Sequence, residues 1–97
     1  MRLHYTSDVV FKEVKNSQWS ADHIAAHNVT LDEVREAILE RPYWTTRGKN
    51  DTTLIYGRTH QGRYLFVVAV EDRGKAFIVT ARDMTKKEKE TYARKAR

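Results

Sequence analysis

Thr53–Arg82 reads TLIYGRTHQGRYLFVVAVEDRGKAFIVTAR, and its punctuation decides the fold. His60-Gln61-Gly62 and Glu71-Asp72-Arg73-Gly74 are turn chemistry, because these residues accept the dihedrals that tight turns need. Between them, Tyr64 to Val70 is apolar at both odd and even positions, the pattern of a central strand covered on both faces. Thr53 to Thr59 and Ala76 to Arg82 are the strands on either side. Connections this short imply antiparallel neighbours, hence a meander.

Working outward, Gly48-Lys49-Asn50-Asp51 is another turn, and Tyr43 to Arg47 supplies a fourth strand. Upstream, the apolar period changes from two to that of a helix. Thr30 and Glu33 form a capping box, Val29 and Val34 occupy the two positions of a hydrophobic staple, and Leu31, Val34, Ala37 and Ile38 make the inward stripe. Pro42 stops this helix, because the residue before a proline avoids helical dihedrals. A shorter helix precedes it, expected to be capped at Ser20, with Asp22 in its first turn and Ile24 and Ala25 inward. His27 ends that helix and Asn28 closes it in the left-handed region. Trp19 and Trp44 are expected in the core. A second capping box, Thr85 with Glu88, opens a last helix with a thin apolar edge of Tyr92 and Ala96 on a charged surface. The expected class is α+β: helices on a four-stranded twisted antiparallel sheet, with the 30–41 helix on one face and a basic C-terminal helix. Residues 1–97 form one domain. Residues 1–18 read as an arm in which Val9, Phe11 and Val14 belong to a short strand or to irregular packing.

A chain of 97 residues buries only about 60–65% of its unfolded surface, which leaves little room for a deep cofactor cavity. No cofactor is expected. No apolar run approaches the ~20 residues of a membrane span, and no secretory leader is visible, so no membrane partner is expected. With no cysteine, disulfides, thiolate metal sites and cysteine nucleophiles are excluded, and a cytoplasmic location is expected. The net charge of +5 is unevenly placed. Residues 1–40 carry four Lys/Arg against seven Asp/Glu, whereas residues 41–97 carry fourteen against six. A basic field in the second half concentrates polyanions, nucleic acid above all, although a solubilising surface has the same composition.

Arg58, Arg63 and Arg82 stand at strand ends, where a guanidinium can grip a phosphate bidentately. The bland alternative puts Arg58 and Arg63 in solvent beside a hairpin and pairs Arg82 with Asp83 or with a helix end. Tyr56 and Tyr92 can stack on a base or donate to a phosphate oxygen, but also suit plain packing. Lys86, Lys87 and Lys89 can follow a phosphate backbone or simply stay solvated. His23 and His27 share a helix face. They lack the glutamate of the metalloprotease helix motif and any obvious third ligand, so no metal site is assigned. His27 remains a proton-transfer candidate.

These residues carry a resemblance. His23 to Val34, HIAAHNVTLDEV, resembles the element of BrnT-type toxins in which lysine-His-Gly-Val precedes an acidic helix. Gly57-Arg58-Thr59, then Gly62-Arg63 and an apolar strand, follow in that family's order. Ile78-Val79-Thr80-Ala81-Arg82-Asp83-Met84-Thr85, with Glu88 and Tyr92, is similar to its strand ending in Ser/Thr-Ala-Arg and its following helix. The resemblance spans about Trp19 to Tyr92. It implies a RelE-like fold and metal-independent RNA cleavage, in which the substrate's 2′-hydroxyl attacks the adjacent phosphate. It also implies inhibition by a ribbon-helix-helix antitoxin, with Arg82, Arg58, Arg63, Tyr92 and His27 as catalytic residues and Lys86, Lys87, Lys89 and Tyr56 on the RNA. A homodimer and a toxin–antitoxin hetero-oligomer both remain open. The chain departs from the family at Asp51-Thr52-Thr53-Leu54, where many relatives place Asp-Glu-Arg-Tyr, so a carboxylate base is missing there. A non-catalytic RNA- or protein-binding domain on the same scaffold is the rival reading.

Overall fold

The computed structural model describes residues 10–97. The chain runs β1 (Glu13–Lys15), α1 (Gln18–Ala26), α2 (Leu31–Leu39), β2 (Trp44–Arg47), β3 (Thr52–Arg58), β4 (Tyr64–Asp72), β5 (Lys75–Asp83) and α3 (Lys86–Lys95). The sheet has five strands in the order β1-β5-β4-β3-β2. The meander from β2 to β5 is antiparallel and β4 is central, as the doubly apolar run predicts. The expected four-stranded, wholly antiparallel sheet is corrected at one edge, where β1 pairs parallel to β5 with Val14 opposite Ala76. A three-residue strand has no readable period of its own. It exists because its partner, some 60 residues on, offers an open edge. Phe11 and Val14 are buried there, while Val9 lies outside the described residues.

Strand alternation gives the sheet two dissimilar faces. Ile55, Leu65, Val67, Ala69, Ala76, Ile78 and Ala81 point to the inner face and form one core with Ile24, Val34, Ala37 and Ile38 of α1 and α2. Gly57 lies where α2 crosses β3. A side-chain carbon there would overlap the Ala37 carbonyl oxygen and sit 2.7 Å from the Ala37 carbonyl carbon. The outer face carries a second, smaller core of Tyr56, Met84 and Tyr92, with Trp44, Leu54, Tyr64 and Phe66 beside it. Its cover is α3. Between Val68/Ala69 of β4 and β5 the register shifts by one residue, so that Ala69 faces Ile78 while Val68 faces Thr80. Val79 is the extra residue of a bulge.

The three helices among the described residues open with reciprocal capping boxes: Ser17 with Ser20, Thr30 with Glu33, and Thr85 with Glu88. The first corrects the expected cap at Ser20, which is instead the buried third residue of a helix begun at Ser17. Asp22 therefore falls beyond the first turn. Ile24 is buried, but Ala25 is exposed. Asn28 adopts φ 60° as expected, and Val29 and Val34 are buried as the staple requires. Trp19 is not core: it is 60% exposed and stacks on His23, with ring centroids 4.6 Å apart. Trp44 is half-buried on the outer face. No helix among the described residues is long and apolar enough to cross a membrane.

Candidate nucleic-acid interface

The outer face is built on one row of side chains across four strands. Trp44, Tyr56, Phe66 and Arg82 are successive partners from β2 to β5. Trp44 stacks on Tyr56 at 4.8 Å, Tyr56 meets Phe66 at 5.1 Å, and the Arg82 guanidinium lies 4.3 Å from the Phe66 centroid. The next row holds Arg58 opposite Tyr64, with the guanidinium 5.7 Å over the ring. Helix α3 lies on these rows. Lys89 sits 5.6 Å over Tyr64, and Lys95 5.6 Å over Trp44. Lys86, Lys87 and Lys89 are exposed. A cation above an aromatic face is held by the ring's quadrupole without losing its charge to a carboxylate. The face is therefore positive as well as aromatic.

The arginines singled out from sequence part company here. Arg82 gives both terminal nitrogens to Glu88, at 2.9 and 3.0 Å, and donates to the Asp83 carbonyl at 2.9 Å. The Glu88 carboxyl is held below its ordinary range, first by that bidentate bond and also by the Thr85 amide. Arg82 thus ties β5 to α3. Arg63 is a second tie and does not share the aromatic face. It reaches Asp83 at 2.7 Å, Glu33 at 3.1 Å and the Asn28 carbonyl at 2.7 Å, joining β4, β5 and the start of α2. Asp83 is pushed down chiefly by Arg63. Glu33 is pushed down first by the Thr30 amide of its capping box and then by Arg63. Arg58 is exposed, and no carboxylate pairs with it among the described residues.

Arg58 lines a hollow of ≈ 270 Å³ together with Arg41, His60, Glu36, Glu40 and Tyr92. Tyr92 lines it without offering a free hydroxyl. Its hydroxyl donates to the Pro42 carbonyl at 2.9 Å, and burial pushes its pKa up, so it is a packed anchor. Tyr56 is likewise buried and shifted up by burial. On the other side of α3, a hollow of ≈ 330 Å³ is lined by Trp44, Tyr56, Thr85, Lys87, Glu88 and Thr91. His27 belongs to neither. Its ring meets His23 edge-on at 6.4 Å, and its carbonyl accepts from Arg63.

His60 was not singled out by its sequence context, a lone histidine in a turn. Its ring Nε2 lies 3.0 Å from each Glu40 oxygen, its Nδ1 lies 3.6 Å from Glu36, and its backbone N–H donates to Glu36 at 3.0 Å. These carboxylates, the Glu40 hydrogen bond first, raise the imidazole pKa above 6.5. The available signal was Glu36 and Glu40, four apart at the end of a helix that stops beside this turn. Among the described residues no group of three or more His, Asp or Glu side chains could hold a metal ion.

No protein-family model, curated protein or solved structure matches the chain.

Proposed function

We propose that this chain is the RNA-cleaving toxin of a bacterial toxin–antitoxin pair, of BrnT type and RelE-like in architecture. It cuts RNA by attack of the substrate's 2′-hydroxyl on the neighbouring phosphate. The observation that carries the reading is Arg58: an exposed guanidinium without a carboxylate partner among the described residues, fixed over Tyr64, in a hollow shared with Arg41 and flanked by a lysine-bearing helix. An always-charged planar fork held in place is what a developing phosphorane needs, and the lysines of α3 supply the salt-sensitive grip on the flanking backbone. In this reading the partner is a ribbon-helix-helix antitoxin that covers the positive face.

One observation favours the rival, a non-catalytic RNA- or protein-binding domain. Arg82 and Arg63 are already saturated by Glu88, Asp83 and Glu33, which leaves fewer cations for a scissile phosphate than the resemblance implies. Incubating purified protein with total RNA in chelator, with primer-extension mapping of ends, separates the two readings. The toxin reading expects discrete cuts, growth arrest on expression, and relief by a ribbon-helix-helix protein encoded beside the gene. Salt-sensitive RNA binding with intact RNA and normal growth would leave the binding-domain reading, and no RNA affinity at low salt would remove the RNA-cleaving and RNA-binding readings together.

A further inference from the structure

The hollow at the end of α2 holds more than a cation. Two carboxylates, Glu36 near the end of α2 and Glu40 at its cap, converge on a single imidazole, and an arginine with no carboxylate partner among the described residues lines the same wall. The groups around the ring are Glu36 from α2, Glu40 and Arg41 just beyond it, Arg58 from β3 and Tyr92 from α3. We propose that His60 and Glu36 are the acid–base couple of the cleavage reaction, with Glu40 positioning the imidazole; this rests on the RNA-cleaving reading above.

The two ring nitrogens are not equivalent. Nε2 is engaged by Glu40, which fixes the ring and its tautomer. Nδ1 faces Glu36 at 3.6 Å, beyond hydrogen-bond reach, so the two groups are free to turn to different oxygens of one phosphodiester laid beside them. The backbone bond from His60 N to Glu36 Oε1 holds that carboxylate against the turn. Carboxylates on both sides raise the imidazole pKa and so favour the protonated form, the state an acid requires.

In the proposed step the 2′-oxygen attacks phosphorus and forms the O2′–P bond while its proton passes to Glu36. The P–O5′ bond breaks, and the 5′-oxygen takes the proton from Nδ1 of His60. Arg58 meets the charge on the non-bridging oxygens. The products are a 2′,3′-cyclic phosphate and a 5′-hydroxyl, and the two side chains recover their starting protonation from solvent. No oxidant, reductant or second substrate is needed.

The test uses a linkage mapped in total RNA, rebuilt in an oligonucleotide with either the normal 5′-oxygen or a bridging 5′-sulfur, whose departure needs no proton. His60→Gln should cut the oxygen linkage about 100-fold or more slowly and the sulfur linkage at nearly the parent rate. Glu36→Gln should be slow on both, because the 2′-hydroxyl must lose its proton in either case. The acid must be protonated, so activity falls as pH rises through the His60 pKa. Glu40→Gln removes the largest influence raising that pKa and should move this alkaline limb to lower pH. A parent protein that cuts no RNA overturns the RNA-cleaving reading and the couple together. A cleaving parent with an undiminished His60→Gln variant, or one equally slow on both linkages, overturns the acid role of His60 alone. An undiminished Glu36→Gln overturns the base, and an unmoved alkaline limb in Glu40→Gln overturns the positioning role. These three residues lie on the surface, and thermal melts of each variant confirm that the folded protein is being assayed.

Discussion

Gly57→Ala should be among the most damaging single-methyl changes in this domain. The added carbon would stand 2.7 Å from the Ala37 carbonyl carbon, whereas carbon atoms rest at about 3.5–4.0 Å, so α2 must retreat by about 1 Å. What blocks the methyl is helix backbone, and no rotamer change can clear it. The retreat would loosen Val34, Ala37 and Ile38, all of which have no solvent exposure. Overpacking of this kind costs about 1–3 kcal/mol, and a rigid obstacle places it near 3. The entropic benefit of replacing glycine, about 0.4–1 kcal/mol, does not offset that. At roughly 4–8 °C per kcal/mol for a domain of this size, the melting temperature should fall by roughly 12–24 °C. Thermal unfolding followed by far-ultraviolet circular dichroism, with a urea titration beside it, measures this directly. Adding Ala37→Gly should not rescue the variant, since the side chain of Ala37 is not the obstacle. The same retreat would draw Glu36 and Glu40 away from His60, so its imidazole proton resonances should report a lowered pKa. A Gly57→Ala protein melting within about 2 °C of the parent would refute the close approach of α2 to β3.

Three further expectations concern the charged ties. Arg63→Ala should cost about 1.5–3 kcal/mol, the scale of hydrogen bonds to charged groups, with Arg63→Lys recovering only part because it lacks the planar fork; denaturant melts decide this. Glu33, Asp83 and Glu88 have folded pKa values below the ordinary 4.5, 3.8 and 4.5, so their contribution is present above those values and lost as pH falls through the folded ones. The melting temperature should therefore hold down to about pH 5 and drop below it, and a melting temperature flat to pH 2 would contradict the ties. Arg58→Ala should keep the parent's melting temperature while flattening the slope of log RNA affinity against log salt by about 0.7, whereas Arg82→Ala should lower the melting temperature. The reverse assignment would undo the distinction between the two arginines.

What the sequence made legible followed from local chemistry. Two capping boxes, the left-handed Asn28, the proline stop and the doubly apolar central strand are each written within a dozen residues. What it hid depended on partners far along the chain. β1 is a strand only because β5 offers an edge. Trp19 is exposed because the short helix begins at Ser17, which turns that ring toward His23 and solvent. Arg63 looked like a phosphate ligand because its immediate neighbours are neutral, and Arg82 because only Asp83 beside it offered a pairing in sequence. Their acidic partners Glu33 and Glu88 arrive by folding of α2 and α3. His60 was invisible for the same reason, its two carboxylates lying 20 and 24 residues upstream.

The bulge at Val79 makes the far end of β5 a matter of phase. Counted by simple alternation from the buried Ala76 and Ile78, Arg82 would fall on the inner face and Asp83 on the outer. The one extra residue inverts that parity, which is why Arg82 meets Phe66 and Glu88 while Asp83 meets Arg63. A β5 that zipped up without the bulge would turn Arg82 and Asp83 to the wrong layers, parting Arg82 from Glu88 and Asp83 from Arg63, which would keep only Glu33. The two ion clusters thus act together as a parity check on the last hairpin, accepting one alignment of β4 and β5 and rejecting its neighbour one residue away.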